Sequence, residues 1–254
     1  MNAFRRGALT YGGRRQLRYD RGMNAPPRAW KLFDEHPPVL TYTYSFGQGL
    51  ANALALGANG GLVVISPPRG AGAHAFDGLT RYGEVRALVA PNAFHTLGLA
   101  EWKACFPEAE IYAPAQAIAR VESQSGLSGI RPVGELAVAD VEFIDMPYYR
   151  TGEVLLRIAS GRGPAWYVTD VILNMRRLPP NPLAKLVFGL SRSGPGLRFN
   201  NIAPFFMVQD RKALRHWLAE EFRKAPPRWL IPAHGDIVDF AADSAAACDL
   251  LASV

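Results

Sequence analysis

Cysteine, histidine and long apolar runs are scarce in this chain, and acidic residues are almost missing from one end. Two cysteines in 254 residues, Cys105 and Cys248, are too few for a disulfide framework, and neither sits in a CxxC or Cys/His ligand spacing. They read as buried thiols of a reducing, cytoplasmic protein. Residues 45–68 carry no charge, but Gln48, Asn52, Asn59 and five glycines interrupt them, so they lack the roughly twenty apolar residues of a spanning helix. They read as strand, turn, strand. The N-terminus has no apolar h-region of about 7–15 residues and no small-residue cleavage site, which excludes a secretory signal.

The formal net charge of +6 suggests a nucleic-acid partner until the charges are placed. Residues 1–30 hold seven arginines and one acid, Asp20; removing these leaves 21 basic and 21 acidic residues in 31–254. The excess belongs to a basic, disordered arm, and Met23 is a candidate true start. The arm lacks the aromatic interleaving of a stacking platform, and no helix-turn-helix, RRM or zinc-finger pattern is present. The expected partner is a small-molecule substrate or ligand, with no nucleic acid and no membrane.

What is present is a globular pattern. The chain is 49% hydrophobic and 20% charged, and its length buries a core without disulfides or structural metal. Alternation predicts a strand over 40–46, and 53–56 and 61–65 flank an Asn-Gly turn. A β-loop-α-β-α passage follows, with strands over 85–90 and 111–113 and helices over 99–106 and 114–123. Three further strands are expected over 138–144, 153–159 and 165–169, then a long connection over 176–205. The last elements are a helix N-capped by Asp210, a strand over 229–231 and a helix over 240–251. Two successive batches of strands then helices imply packed sheets with helices outside.

Five histidines are available for metal or acid/base chemistry. His36, His74 and His216 read as solvated. His95 and His234 differ because each lies just past the end of an apolar strand, where a fixed backbone meets an accessible loop. Asp170 ends Trp166-Tyr-Val-Thr-Asp170 in the same context. Two imidazoles and a carboxylate at strand ends form a sensible metal set. The competing reading is that Asp170 caps a turn and His234 donates to a backbone carbonyl.

The segments Gly60-Gly-Leu-Val-Val-Ile-Ser-Pro-Pro68, Val89-Ala-Pro-Asn-Ala-Phe-His-Thr-Leu-Gly98, Met146-Pro-Tyr-Tyr-Arg-Thr-Gly152, Tyr167-Val-Thr-Asp170 and Ile231-Pro-Ala-His-Gly-Asp236 resemble, in order, the landmarks of the metallo-β-lactamase superfamily. The likeness spans about residues 40–240 and is greatest to a degenerate branch of undefined function. It implies a four-layer αββα sandwich, of class α/β (α+β), over residues 31–254. It also implies which ligands are lost: Ala90, Asn92 and Tyr149 stand where one metal position has histidines, and Phe94 stands for an aspartate. The other position keeps His95, Asp170 and His234 and suits one divalent ion (zinc, alternatively manganese or iron) or none. The resemblance thus implies a single-metal hydrolase of an ester, thioester, lactone or related small molecule, acting by metal-activated water, with Asp170, Asn92 and Tyr149 at the reacting centre and Asn92 and Tyr149 as oxyanion donors. The alternative is a metal-free binding or regulatory protein that keeps the fold.

Overall fold

Strands that are apolar at every successive position must be covered on both faces, and that pattern dictates the layering. The computed structural model describes residues 29–46, 49–58, 60–178, 181–202 and 207–252. The expected arm lies outside these residues except for its last two, of which Trp30 is buried and donates from Nε1 to Ala75 O at 2.8 Å.

The first sheet takes its strands in chain order: β1 Lys31–Glu35, β2 Pro38–Ser45, β3 Leu50–Ala58, β4 Gly61–Ile65, β5 Glu84–Val89, β6 Glu110–Ala113 and β7 Arg131–Pro132. Pairing is antiparallel as far as β4 and parallel from β4 to β7. The second sheet is built from β8 Val141–Asp145, β9 Val154–Ser160, β10 Gly163–Val168, β13 Trp229–Pro232 and β14 Val238–Asp239, in the order β14-β13-β10-β9-β8. A separate ribbon pairs β11 Ile172–Met175 with β12 Gly196–Phe199.

Alternate residues of each central strand enter different cores. Leu54, Leu56, Val63 and Ile65 of the first sheet meet Leu156, Ile158, Tyr167 and Ile231 of the second. Ala53, Ala55, Leu62 and Val64 point the other way, onto Ala75 and Leu79 of α1 Gly72–Thr80, Leu99 and Trp102 of α2 Leu99–Cys105, and Val121 of α3 Ile118–Ser125. Leu155, Trp166, Val168 and Leu230 cover the opposite side of the second sheet. They pack on Leu214, Leu218 and Phe222 of α5 Arg211–Lys224 and Leu250 of α6 Ser244–Ala252. Three cores between four layers make the expected αββα sandwich.

Asp210 caps α5 as expected, accepting from Ala213 N at 3.0 Å. Although its glycines argue for a loop, Gly72–Thr80 is helical, because Ala75 and Leu79 gain a fully buried face that outweighs low propensity. Other expectations are corrected. The connection 176–205 contains α4 Pro182–Leu190 and β12. The closing helix begins at Ser244, Phe240 instead entering the core. Cys105 and Cys248 are both exposed, on the outer faces of α2 and α6, so the reading of buried thiols does not hold.

Candidate metal centre

Strand direction gathers the site. β10 and β13 run parallel with Val168 opposite Pro232, so Asp170 and His234 leave the same sheet end two residues later. β9 is antiparallel to β10, so Glu153, just before it, starts at that end too. From the first sheet, the loop after β5 is stitched across by Val154 N donating to Pro91 O and Ala93 N donating to Thr151 O. This brings Asn92 and His95 to the same place. One ligand atom from each of His95, Asp170 and His234 lies within 4.8 Å of the others. His234 Nε2 is 3.2 Å from Asp170 Oδ1, and His95 Nε2 is 3.7 Å from Asp170 Oδ2.

The other ring nitrogens are occupied. His234 Nδ1 is 3.0 Å from Leu50 O, and since a carbonyl only accepts, Nδ1 carries the hydrogen. Ser66 Oγ lies 2.7 Å from His95 Nδ1 and 3.0 Å from Tyr44 OH. Each ring is therefore oriented by an outer partner and aims Nε2 at Asp170, as metal-binding imidazoles are usually held.

Burial alone would push the Asp170 carboxyl up, but the contact with His234 and the positive charge available on His95 and His234 prevail and hold it well below the ordinary carboxylate range. For His234, burial disfavours the imidazolium, yet Asp170 outweighs it and the pKa is raised. Tyr44 is pushed up to about 12, chiefly by burial, and stays a neutral phenol.

Sequence reasoning missed the group beneath the cluster. Glu153 is fully buried and accepts from Thr169 N, Thr169 Oγ1, Asp170 N and Asn92 Nδ2. Burial, then the Asp170 charge, pushes its carboxyl up to about 8. Asn92 spends both amide hydrogens on carboxylates, donating to Glu153 Oε2 at 2.8 Å and to Asp170 Oδ2 at 2.7 Å. Its Oδ1 accepts from Phe94 N and His95 N. Tyr149 is buried, and its phenol is held far above its usual range by burial, then by Glu153 and Asp170. Neither Asn92 nor Tyr149 lines the adjoining cavity.

That cavity, about 470 Å³, opens over the cluster and is walled by Tyr44, Phe46, Phe94, Leu97, Phe188 and Met207 among others. Phe94, in place of the expected aspartate, is exposed beneath the Arg120 guanidinium. Phe188 reaches the wall, whereas Phe199 enters the core. His36 and His216 are exposed as expected, and the side chain of His74 lies outside the description.

Gly235 lets the chain turn just past His234. Its φ is +119° and a Cβ there would sit 1.8 Å from Asn174 O, a backbone atom with nowhere to go. Gly235→Ala is expected to cost about 2–3 kcal/mol, read as a lower urea midpoint with an unchanged slope.

No protein-family model and no curated protein matches the sequence. Similarity appears in three dimensions. A metallo-β-lactamase from Pontibacter korlensis superposes with a TM-score of 0.57 at 12% identity, covering 89% of this chain and 100% of that one. The metallo-β-lactamase FIM-1 from Pseudomonas aeruginosa, in its mono-zinc form, gives 0.55 at 14%, covering 88% and 94%. A variant flavo-diiron protein from Thermotoga maritima gives 0.58 at 16%, covering 89% of this chain and 61% of that one. The chain thus spans about three fifths of the flavo-diiron proteins it matches. It has the metallo-β-lactamase superfamily fold; the FIM-1 neighbour is described as holding zinc and the Thermotoga maritima one as a di-iron protein.

Proposed function

We propose that this chain holds one divalent metal between His95, Asp170 and His234 and hydrolyses an ester, thioester, lactone or related small molecule. One observation carries the reading. With Nδ1 of His234 fixed as a donor to Leu50 O, its neutral ring presents the Nε2 lone pair to a carboxylate oxygen 3.2 Å away. Two acceptors so placed repel unless a cation lies between them. A proton satisfies His234 alone. It leaves His95 unexplained, because 3.7 Å to Asp170 is beyond a hydrogen bond yet near the roughly 3.3 Å edge of a tetrahedron of ligands with bonds of about 2.0–2.1 Å. The donor set fits one ion, and zinc, manganese or iron is compatible with it.

When bound, such an ion supplies Lewis acidity and lowers the pKa of a water. The chain supplies the rest. Asn92, pinned by the backbone of Phe94 and His95, acts as a positioning residue that holds the Asp170 carboxylate. Ser66 and Tyr44 fix the ring of His95. Phe46 packs edge-on against His234 at 5.6 Å between centroids, and with Phe94, Leu97 and Phe188 it offers an apolar wall to an acyl or alkyl group while excluding water. With Phe94 where an aspartate is expected, Asp170 is the carboxylate available in the lining to orient a nucleophile.

A second reading, a metal-free binding protein, is favoured by the raised pKa of His234: an imidazolium facing Asp170 closes the cluster by itself. Elemental analysis of protein purified without a metal-binding tag separates the two. One equivalent of a divalent metal per chain is expected, falling to background in His95→Ala and His234→Ala. A metal-free parent that takes up none on dialysis against zinc, manganese or ferrous iron would leave the second reading standing.

A further inference from the structure

From residue 171 to residue 209 the sequence contains no acid and five cations, Arg176, Arg177, Lys185, Arg192 and Arg198. In the middle of this stretch stands α4, fixed by local signals: Asn181 accepts from Leu183 N and Ala184 N, and Pro182 opens the first turn. Its aliphatic residues fall at i, i+3, i+4 and i+7, the spacing that normally turns a stripe toward a core. Here the stripe faces outward, with Leu183 69%, Leu186 57%, Val187 43% and Leu190 78% exposed. The helix meets the body through half-buried Ala184 and Phe188, and Phe188 lines the cavity over the cluster of His95, Asp170 and His234. Phe46, Phe94 and Leu97, also lining that cavity, are exposed at its mouth.

A second cavity begins where α4 stops. Ser191, the C-cap of α4, lines a hollow of about 970 Å³ together with Arg211, Lys212, Arg215 and Arg223, the last of which is paired with Glu220. The one carboxylate in its wall, Asp210, is engaged in capping α5. An apolar helix thus adjoins a cationic hollow. Arg176 pairs with Asp236, while Arg177, Lys185, Arg192 and Arg198 are all exposed.

Burial of this face against a second copy of the chain would set the cationic segment on itself, which like-charge repulsion opposes. An anionic bilayer complements both parts: the aliphatic stripe enters the acyl boundary and the cations meet lipid phosphates. We propose that α4 and the cationic hollow at its end form a docking face for an anionic phospholipid surface, bringing the mouth of the apolar cavity to the membrane. This revises the expectation of no membrane partner, which rested on the lack of a spanning run; lying on a bilayer needs none. Among the described residues no helix is long and apolar enough to cross a membrane. The proposal does not depend on metal at the cluster.

The test is co-sedimentation of the full chain with vesicles of phosphatidylcholine alone and of an equal mixture with phosphatidylglycerol. Binding is expected to the mixture, to weaken with salt, and to fall at least about tenfold in Leu186→Glu/Leu190→Glu. Both substitutions are at exposed positions, and near-ultraviolet circular dichroism checks that the fold is kept. The arginine arm is present in both proteins, so their difference reports α4. Absence of binding to the mixture, equal binding to both vesicles, or an undiminished variant would overturn the proposal. So would a dimer that the double substitution dissociates in the absence of vesicle binding. Binding of soluble glycerophosphate by both proteins, with none to vesicles, would assign the hollow to a free phosphate and overturn it as well.

Discussion

Asn92→Leu is expected to destabilise the protein by about 3–5 kcal/mol, read as a large drop in the urea midpoint. The side chain is fully buried and each of its polar atoms is in use. Leucine keeps its branched shape, with somewhat more bulk, but leaves the backbone N–H groups of Phe94 and His95 without an acceptor, and removes the amide donor to Glu153 Oε2 and Asp170 Oδ2. Each orphaned neutral group costs about 1–3 kcal/mol, and a charged one costs more. Asn92→Asp should be worse near neutrality, because it sets a third carboxyl against two others. That carboxyl would hold its proton to a higher pH when folded than when unfolded, so stability should return as pH is lowered. A loss under about 1 kcal/mol in Asn92→Leu would mean that the network beneath the cluster carries little of the fold's stability.

Much of the fold was legible because the pattern that carries it is local. Alternation along 40–46 and continuous apolar runs such as 61–65 and 229–231 specify strands without knowledge of their partners. Helices α1 and α4 were not legible, for opposite reasons. The glycines before α1 argue for a loop, and only the burial of Ala75 and Leu79 against the sheet overrides them. The prolines and glycines around α4 hide a helix whose aliphatic stripe is largely exposed rather than turned to a core.

At the site, His95, Asp170 and His234 could be picked out because a polar residue just past an apolar strand is conspicuous. Glu153 carried a fainter mark, a lone acid touching the apolar run Val154-Leu-Leu156. Recognising it required knowing that β9 begins where β10 ends. Ser66 carried none, since its partnership with His95 depends on two loops meeting from different strands. The resemblance makes Asn92 an oxyanion donor, but its amide hydrogens are committed to Glu153 and Asp170, carboxylates whose positions depend on the assembled sheets.

Asp170→Asn is expected to lower metal affinity by well over the roughly 10–100-fold that loss of an outer partner costs, and to abolish the pH dependence tied to the cluster. Asp170 is held low, chiefly against burial, by His234 and His95, so its contribution is complete above the ordinary carboxylate range and is lost as pH falls through the depressed folded value. His234 is held high by Asp170 against burial, so its contribution is complete below about 6.5 and is lost as pH rises through the higher folded value. Chelated wild-type protein should therefore lose thermal stability as pH climbs past the ordinary histidine range. Metal needs the neutral ring and displaces its proton, so the stabilisation gained on adding metal should grow over that same interval. The two slopes have opposite sign, and Asp170→Asn removes the anion on which both depend. Thermal melts across that range, with chelator and with one equivalent of zinc, measure them together. A metal increment that shrinks as pH rises, or that survives in Asp170→Asn, would show that the ion is held elsewhere.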